Sequence, residues 1–73
     1  MSSHTLHADV AGTVWKIEVA VGDAVRAEQD LLILESMKME IPACAPCDGV
    51  VSDILVAVGE AVAEGQALLR LRG

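Results

Sequence analysis

The stretch GTVWKIEVAVGDAVRAEQDLLIL, residues 12–34, decides the fold because it returns as GVVSDILVAVGEAVAEGQALLRL at residues 49–71. An offset of 37 residues aligns the two copies, and 13 of the 23 aligned positions are identical. Apart from Gln29 with Gln66, the identities fall on glycines and aliphatic residues, whereas the charged positions differ. Turn and core positions are therefore repeated, which predicts two halves with one backbone plan, related by a pseudo-two-fold axis.

Each copy has the pattern of short β-strands. Apolar and polar residues alternate over residues 13–21, and the second copy repeats the pattern at residues 54–58, with no apolar stripe of helical period. Turn residues at Gly22-Asp23 and Gly59-Glu60 leave strands of about 4 to 7 residues. The predicted fold class is all-β, a flattened antiparallel barrel or sandwich of two four-stranded sheets that buries the aliphatic residues of both halves.

The size and charge of the chain restrict its function. Its 73 residues fit one small domain (1–73, with an ordered core of about 5–72), which is too small for a catalytic cleft plus a substrate domain and favours a non-catalytic carrier. A net charge of −6 argues against a nucleic acid or an anionic membrane surface as partner. The N-terminus lacks the pattern of a secretion signal and no apolar run is long enough to span a bilayer, so we expect a cytoplasmic location.

The segment between the two copies contains the unrepeated motif Glu35-Ser36-Met37-Lys38-Met39-Glu40. Residues 31–35 and 39–43 are predicted to form two strands, with Met37 and Lys38 at the tip of their hairpin. Lys38 then projects into water at one end of the domain, and the pseudo-symmetry puts the chain termini at the other end. Exposed methionines are typical of adaptable contact surfaces, so we expect Met37 and Met39 to be recognition contacts.

With these features the chain resembles the biotinyl (biotin carboxyl carrier) domains of the biotinyl/lipoyl attachment superfamily, over roughly residues 5–72. The attachment signature of that family is a lysine between two methionines, preceded by a small residue and an acidic one, and it matches Glu35-Ser36-Met37-Lys38-Met39. Residues 21–25, 45–51 and 64–68 are similar to the scaffold of the family, and the resemblance implies its hammerhead-like fold.

The resemblance also implies a function. A biotin protein ligase would join biotin covalently to Lys38, with Met37, Met39, Glu35 and Ser36 completing the attachment motif. A biotin carboxylase would then charge the cofactor with a carboxyl group, and a carboxyltransferase would pass that group to an acceptor such as an acyl-CoA. The cofactor supplies the reactive group, and the domain supplies presentation and effective concentration.

The chain departs from the family pattern at three positions and lacks one insertion. Ser36 stands where many members have alanine, Asp9 where a proline is frequent, and Glu28 in place of a glycine, so we expect the turn at Glu28 to differ from the turn at Gly65. Residues 15–22 align with residues 52–59 without a gap, which indicates the type of carrier without a protruding thumb. The start at Met1 favours a free-standing carrier, although an excised domain with an added start would have the same sequence.

Two other functions share this fold. A lipoyl carrier of a 2-oxo acid dehydrogenase or of a glycine-cleavage system has its modified lysine at the same tip, but usually flanks it with Asp and with Ala or Val. A scaffold domain of a membrane-fusion adaptor has a similar hairpin without an attachment lysine. Fold alone does not separate these functions, so the choice of biotin depends on the Met-Lys-Met triplet.

Cys44 and Cys47 have the spacing of half a zinc site, with His4 and His7 as the other half, or of a redox pair. A redox pair needs a helix N-terminus to lower its thiol pKa, which an all-β segment does not supply. A zinc site needs four converging ligands, and we expect His4 to lie in a frayed terminus. The two thiols are therefore interpreted as small apolar residues around a turn, with no metal bound.

Trp15 is the only aromatic residue, so the core must consist of aliphatic side chains. A single aromatic in a strand-rich chain usually packs in the core or at its edge, and Trp15 is expected there. Glu35 and Glu40 flank the hairpin tip without any residues that would form a pocket. We expect them to solvate the hairpin and to assist docking rather than to act as an acid–base pair.

Overall fold

The computed structural model describes residues 3–73, which form eight β-strands and no helix. The strands are β1 (Ser3–His7), β2 (Gly12–Ile17), β3 (Ala24–Val25), β4 (Asp30–Ser36), β5 (Met39–Cys44), β6 (Gly49–Ile54), β7 (Ala61–Val62) and β8 (Ala67–Arg72). They form two four-stranded antiparallel sheets with the orders β1-β8-β6-β3 and β5-β4-β2-β7. The predicted all-β class and the two four-stranded sheets are confirmed. Met1 and Ser2, the start on which the free-standing interpretation depends, lie outside the described residues.

The pseudo-two-fold axis is visible in both the strands and the hydrogen bonds. The 37-residue offset of the repeat converts β2, β3 and β4 into β6, β7 and β8, and it converts β1 into most of β5. The short strands exchange sheets, since β3 pairs with β6 and β7 pairs with β2. Gly22 N–H donates to the Val51 carbonyl at 2.8 Å, and Gly59 N–H donates to the Val14 carbonyl at 2.7 Å. Each half therefore closes on the other half.

The core is aliphatic, as predicted. None of the described residues with a polar or charged side chain is buried. Leu31 and Leu68 are extra residues at the irregularities of β4 and β8, which break the alternation so that two consecutive leucines face inward on each strand. The buried residues are Ala8, Val14, Val25, Leu31, Leu32, Leu34, Ala45, Val51, Val56, Val62, Leu68, Leu69 and Leu71. All but Val56 fall into pairs related by the repeat.

The strand predicted over residues 13–21 is shorter than its pattern indicates. β2 ends at Ile17, and the chain then crosses toward the other sheet, where Gly22 bonds to Val51. Val21 is 61 % exposed and its equivalent Val58 is 62 % exposed, so neither residue contributes to the core. The alternation continues past the strand because a crossing loop of this kind also has alternate residues in contact with the core.

Trp15 does not pack in the core, so that expectation is wrong. Its side chain is 46 % exposed. In the ladder of β2 with β4, Val14 lies opposite Leu34 and Lys16 lies opposite Ile33, so Trp15 occupies a bulge. A bulge leaves its extra residue unpaired and redirects the side chain, and here the indole faces solvent.

The turn at Glu28 has the same backbone conformation as its equivalent at Gly65, contrary to the expected difference. Glu28 has φ 68° and Gly65 has φ 84°. Glu28 N–H donates to the Ala45 carbonyl at 2.8 Å, and Gly65 N–H donates to the Ala8 carbonyl at 2.7 Å. The cross-sheet contact thus imposes the left-handed conformation on a glutamate, although that conformation costs a non-glycine residue about 1 to 2 kcal/mol.

The substitution Glu28→Gly is expected to raise the free energy of unfolding by about 0.5 to 1 kcal/mol. Relief of the left-handed strain outweighs the roughly 0.4 to 1 kcal/mol by which the freedom of glycine stabilises the unfolded chain. The reciprocal Gly65→Glu change should lower the stability by a similar amount. Urea denaturation measures both variants.

The neighbouring Ala27→Gly variant is the control, because Ala27 does not have a positive φ. Ala27→Gly increases the conformational freedom of the unfolded chain without relieving any strain in the folded one, so it should lower the free energy of unfolding. If Glu28→Gly lowered the stability as much as Ala27→Gly, the strain assigned to Glu28 would be refuted.

Candidate attachment site

The hairpin tip is a two-residue turn. Ser36 pairs with Met39 and Glu35 pairs with Glu40, which leaves Met37 and Lys38 as the loop between β4 and β5. Met37 has φ 51° and Lys38 has φ 67°. Two consecutive left-handed residues are the signature of a type I′ turn, whose twist matches that of the flanking strands. The structure thus confirms the predicted hairpin and its tip.

The residue types at this tip are unfavourable for its conformation. Type I′ turns favour Asn-Gly, whereas Met37 and Lys38 are non-glycine residues that each lose about 1 to 2 kcal/mol in the left-handed region. The ladder of β4 with β5 maintains the conformation against this strain. Strained backbone that persists in a well-paired hairpin is typical of functional positions, because a less strained sequence would serve the fold better.

The side chains of the tip are exposed. Met37 is 92 % exposed and Met39 is 63 % exposed, and Lys38 between them is also exposed. Within residues 3–73 no carboxylate forms an ion pair with Lys38, while Lys16 Nζ lies 3.4 Å from Glu18 Oε1. The amine of Lys38 is therefore accessible to an acylating enzyme, whereas that of Lys16 is engaged by a neighbour.

Two carboxylates form the base of the tip. Glu35 and Glu40 lie directly opposite each other on β4 and β5, and both are exposed. Like charges in directly opposed positions destabilise a strand pair, so this arrangement does not serve the hairpin itself. An exposed acidic pair beside a lysine suits docking to a surface with complementary charge, whereas acid–base chemistry would need an enclosed site.

Gly12 supports the tip from the neighbouring strand, a role that the sequence did not indicate. A Cβ atom at Gly12 would lie 2.5 Å from the Glu35 carbonyl oxygen and 3.4 Å from Ser36 Cβ. Only glycine allows β2 to approach the base of the hairpin this closely. The one available signal was the identity of Gly12 with Gly49, whose Cβ would lie 2.9 Å from the Arg72 carbonyl oxygen in the other half.

The cysteines and histidines do not form a second site in the described part of the chain. The Cys44 thiol donates a hydrogen bond to Asp30 Oδ1 at 3.3 Å. This bond, followed by desolvation and the negative charges of Asp30 and Glu28, raises the pKa of Cys44 and disfavours the thiolate that metal binding and redox chemistry require. Residues 3–73 contain no cluster of three potential metal ligands. His4 is not frayed, because it pairs with Leu71 in the ladder of β1 with β8.

Comparisons with known proteins agree with this geometry. A family model described as "Biotin-requiring enzyme" matches residues 3–71. The chain is 43 % identical over 67 residues to the biotin/lipoyl attachment protein of Bacillus subtilis (strain 168), covering 92 % of each chain. It is 46 % identical over 54 residues to the biotin carboxyl carrier protein of acetyl-CoA carboxylase of Streptococcus pyogenes, covering 74 % of this chain and 32 % of that protein. The crystal structure of Kluyveromyces lactis urea carboxylase matches with a TM-score of 0.93 and 32 % identity, over 99 % of this chain and 6 % of that one.

The Gly12→Ala variant should disturb the tip while leaving the other end of the molecule intact. The added Cβ overlaps the Glu35 carbonyl, and overpacking of this kind costs about 1 to 3 kcal/mol. Amide hydrogen exchange in residues 35–40 should become about fivefold faster or more.

Gly49→Ala is the matched control, since it makes the equivalent overlap with Arg72 at the other end. It should lower the global stability without a selective effect on the hairpin. Equal acceleration of exchange in residues 35–40 by both variants would contradict a local role for Gly12.

Proposed function

We propose that this chain, which belongs to the biotin/lipoyl attachment family, is a biotin carboxyl carrier with biotin bound covalently to Lys38. The model of that family is described as "Biotin-requiring enzyme". One observation carries the choice of residue: Lys38 is the lysine at the strained, exposed two-residue tip. The second lysine, Lys16, lies within β2 and contacts Glu18. The carrier is not itself an enzyme, in agreement with its relatives that are named as carrier proteins.

The attachment reaction that suits this amine is acylation by a biotin protein ligase. The neutral Nζ atom attacks the carboxyl carbon of biotin activated as an adenylate, an amide bond forms, and AMP leaves. The proton lost by the ammonium group passes to the ligase or to water, because the tip offers no base placed against Nζ. The chain's contribution is an amine held away from its own surface between two exposed thioethers.

Carrier function follows from the shape of the domain. Once attached, biotin supplies the chemistry of carboxyl transfer. The rigid double sheet keeps the attachment point at one end of a molecule that measures 36 × 17 × 17 Å, while Ser3 and Arg72 lie side by side in the equivalent position of the other half. A tether of this type raises the effective concentration of the cofactor at each active site it visits.

The partners we propose are the ligase, a biotin carboxylase and a carboxyltransferase. The relatives support a carboxylase assembly, since their names include the carrier protein of acetyl-CoA carboxylase and urea carboxylase. An acyl-CoA acceptor is the substrate class that the acetyl-CoA carboxylase relative favours. We also propose a cytoplasmic location, because the free thiols Cys44 and Cys47 suit a reducing compartment.

Biotin is favoured over lipoate as the attached group. Both carriers share this fold and this position of the lysine, so the geometry of the tip does not separate them. The Met37-Lys38-Met39 triplet matches the biotinyl signature, and the relatives named as carboxyl carriers agree with it.

The described residues 3–73 contain no helix that could span a membrane.

The attachment site is tested by replacing each lysine in turn. Incubated with biotin protein ligase, biotin and ATP, the unchanged chain and Lys16→Arg should each gain one biotinyl group in the intact mass, whereas Lys38→Arg should gain none. Arginine keeps the positive charge, so a loss of labelling reports the missing nucleophile. Labelling of Lys38→Arg, or a lipoyl adduct formed with lipoyl ligase but no biotinyl adduct, would refute the proposal.

Recognition by the methionines is tested with the double variant Met37→Leu and Met39→Leu. Ligase kcat/KM should fall about twofold to tenfold, the factors that correspond to about 0.3 to 1.5 kcal/mol for a sulfur–aromatic contact. The control is Val21→Leu, which alters an exposed apolar residue in the turn that bonds to Val51, on the side of the domain opposite the tip. Unchanged biotinylation and carboxylation rates in the double variant would show that the methionines are not recognition contacts.

A further inference from the structure

A groove of about 200 Å³ lies between the edge strands β1 and β5, where the two sheets face each other without pairing. One wall includes His7, Asp9 and Val10, and the other includes Ile41 and Cys44. The buried Leu34 of β4 contributes to the floor. We refer to this feature as the β1/β5 groove. Its wall β5 is the second strand of the hairpin that carries Lys38, so the groove begins two residues after Met39.

We propose that the β1/β5 groove binds the bicyclic ring of the biotin attached to Lys38 of the same chain. The ring lies at the end of the groove nearest to the tip, against Val10, Leu34 and Ile41. This inference rests on the proposed function, since it requires Lys38 to be acylated. The groove is thus a resting site for the cofactor between its visits to other active sites.

The length of the tether selects that end of the groove. Ile41 is three residues from Lys38, about 10 Å at the rise of a β-strand, and Cys44 is about 20 Å away. Eleven bonds separate the lysine Cα from the biotin ring, which gives an extended reach of about 14 Å. The ring therefore reaches Ile41 and Val10 from the tip but does not reach Cys44.

The chemistry of the groove suits the two faces of the ring system. Val10, Leu34 and Ile41 offer aliphatic contact to the sulfur-containing ring and to the methylene chain. Asp9 lies on the loop that follows β1, where its carboxylate can accept hydrogen bonds from the ureido N–H groups. Pockets that combine an apolar lining with a few polar groups are typical small-molecule sites.

The pairs Leu6/Ala43 and His7/Cys44, which the repeat relates, both line the groove, but the end nearest to the tip is specific to the half with Lys38. The residues related to Asp9, Val10 and Ile41 by the repeat are Pro46, Cys47 and His4, and none of these three lines the groove. A cavity that followed only from the duplicated scaffold would include both sets. The apolar lining instead occurs where the tether can deliver a ligand, and a tethered ring at high effective concentration needs only weak affinity to occupy it.

The test compares three states of the full chain by NMR: unmodified, with Nζ-acetyllysine at position 38, and biotinylated, each verified by intact mass. Acetylation removes the same charge and forms the same amide without adding the ring. Its shift changes should be confined to residues 36–40. Biotinylation should also shift the methyl groups of Val10, Leu34 and Ile41, independently of protein concentration, and should produce nuclear Overhauser contacts between these methyls and the ring protons.

Two variants locate the site. Ile41→Ser should lower the equilibrium constant for ring binding in the groove about fourfold or more, the factor for losing one methylene of apolar contact, and should thereby reduce the shift changes at Val10 and Leu34. His4→Ser, at the position related to Ile41 by the repeat, should leave them unchanged. The Overhauser contacts in the unsubstituted chain stand independently of whether Ile41→Ser folds.

Three outcomes are distinguishable. Contacts from the ring to Val10 and Ile41 support the inference. Shift changes in the biotinylated chain that match those of the acetyllysine chain overturn it and leave the carrier function intact. An intact mass without a biotinyl group on Lys38 after ligase treatment overturns the proposed function, and the groove assignment is then overturned with it.

Discussion

The packing of the leucines on β4 and β8 is the interaction on which the rest of the structure depends. Leu31, Leu32 and Leu34 on β4 are buried together with their equivalents Leu68, Leu69 and Leu71 on β8, one group in each sheet. Burying a leucine side chain contributes about 1.5 to 3 kcal/mol, and here six of them join the two sheets. β4 continues without a break from this core into the Lys38 hairpin. The attachment point that we propose is therefore an extension of one of the two strands that form the leucine core.

Duplication builds the scaffold, and the site that we propose lies in the segment that the duplication does not repeat. The two halves repeat their core residues, their turns and their cross-sheet hydrogen bonds. The repeat relates the hairpin tip in one half to the chain ends in the other half. The domain therefore has a single closed hairpin of this type, and that hairpin carries Lys38. The strain at Glu28 has the same origin, because the repeated contact with Ala45 imposes a glycine conformation on whatever residue stands there.

The sequence predicts the parts of the molecule that depend on local pattern and on the repeat. The two sheets, the aliphatic core and the hairpin with Met37 and Lys38 at its tip all follow from the residues alone. Trp15 could not be placed, because its exposure depends on a register shift between β2 and β4 that has no local sequence signal. Gly12 and the β1/β5 groove were missed for a related reason: both arise where segments distant in sequence approach each other, and spacing along the chain does not encode that approach.

The residues of the tip destabilise the hairpin, which agrees with the proposal that they serve contacts with other proteins. Two non-glycine residues are held in the left-handed region, two glutamates face each other across the ladder, and two methionines are exposed to water. None of these features strengthens the hairpin, and an Asn-Gly turn flanked by threonines would serve the fold better. The leucine core is strong enough to carry these local losses. An amine, an acidic pair and flexible thioethers can therefore be kept together, as the proposed contacts with a ligase and a carboxylase require.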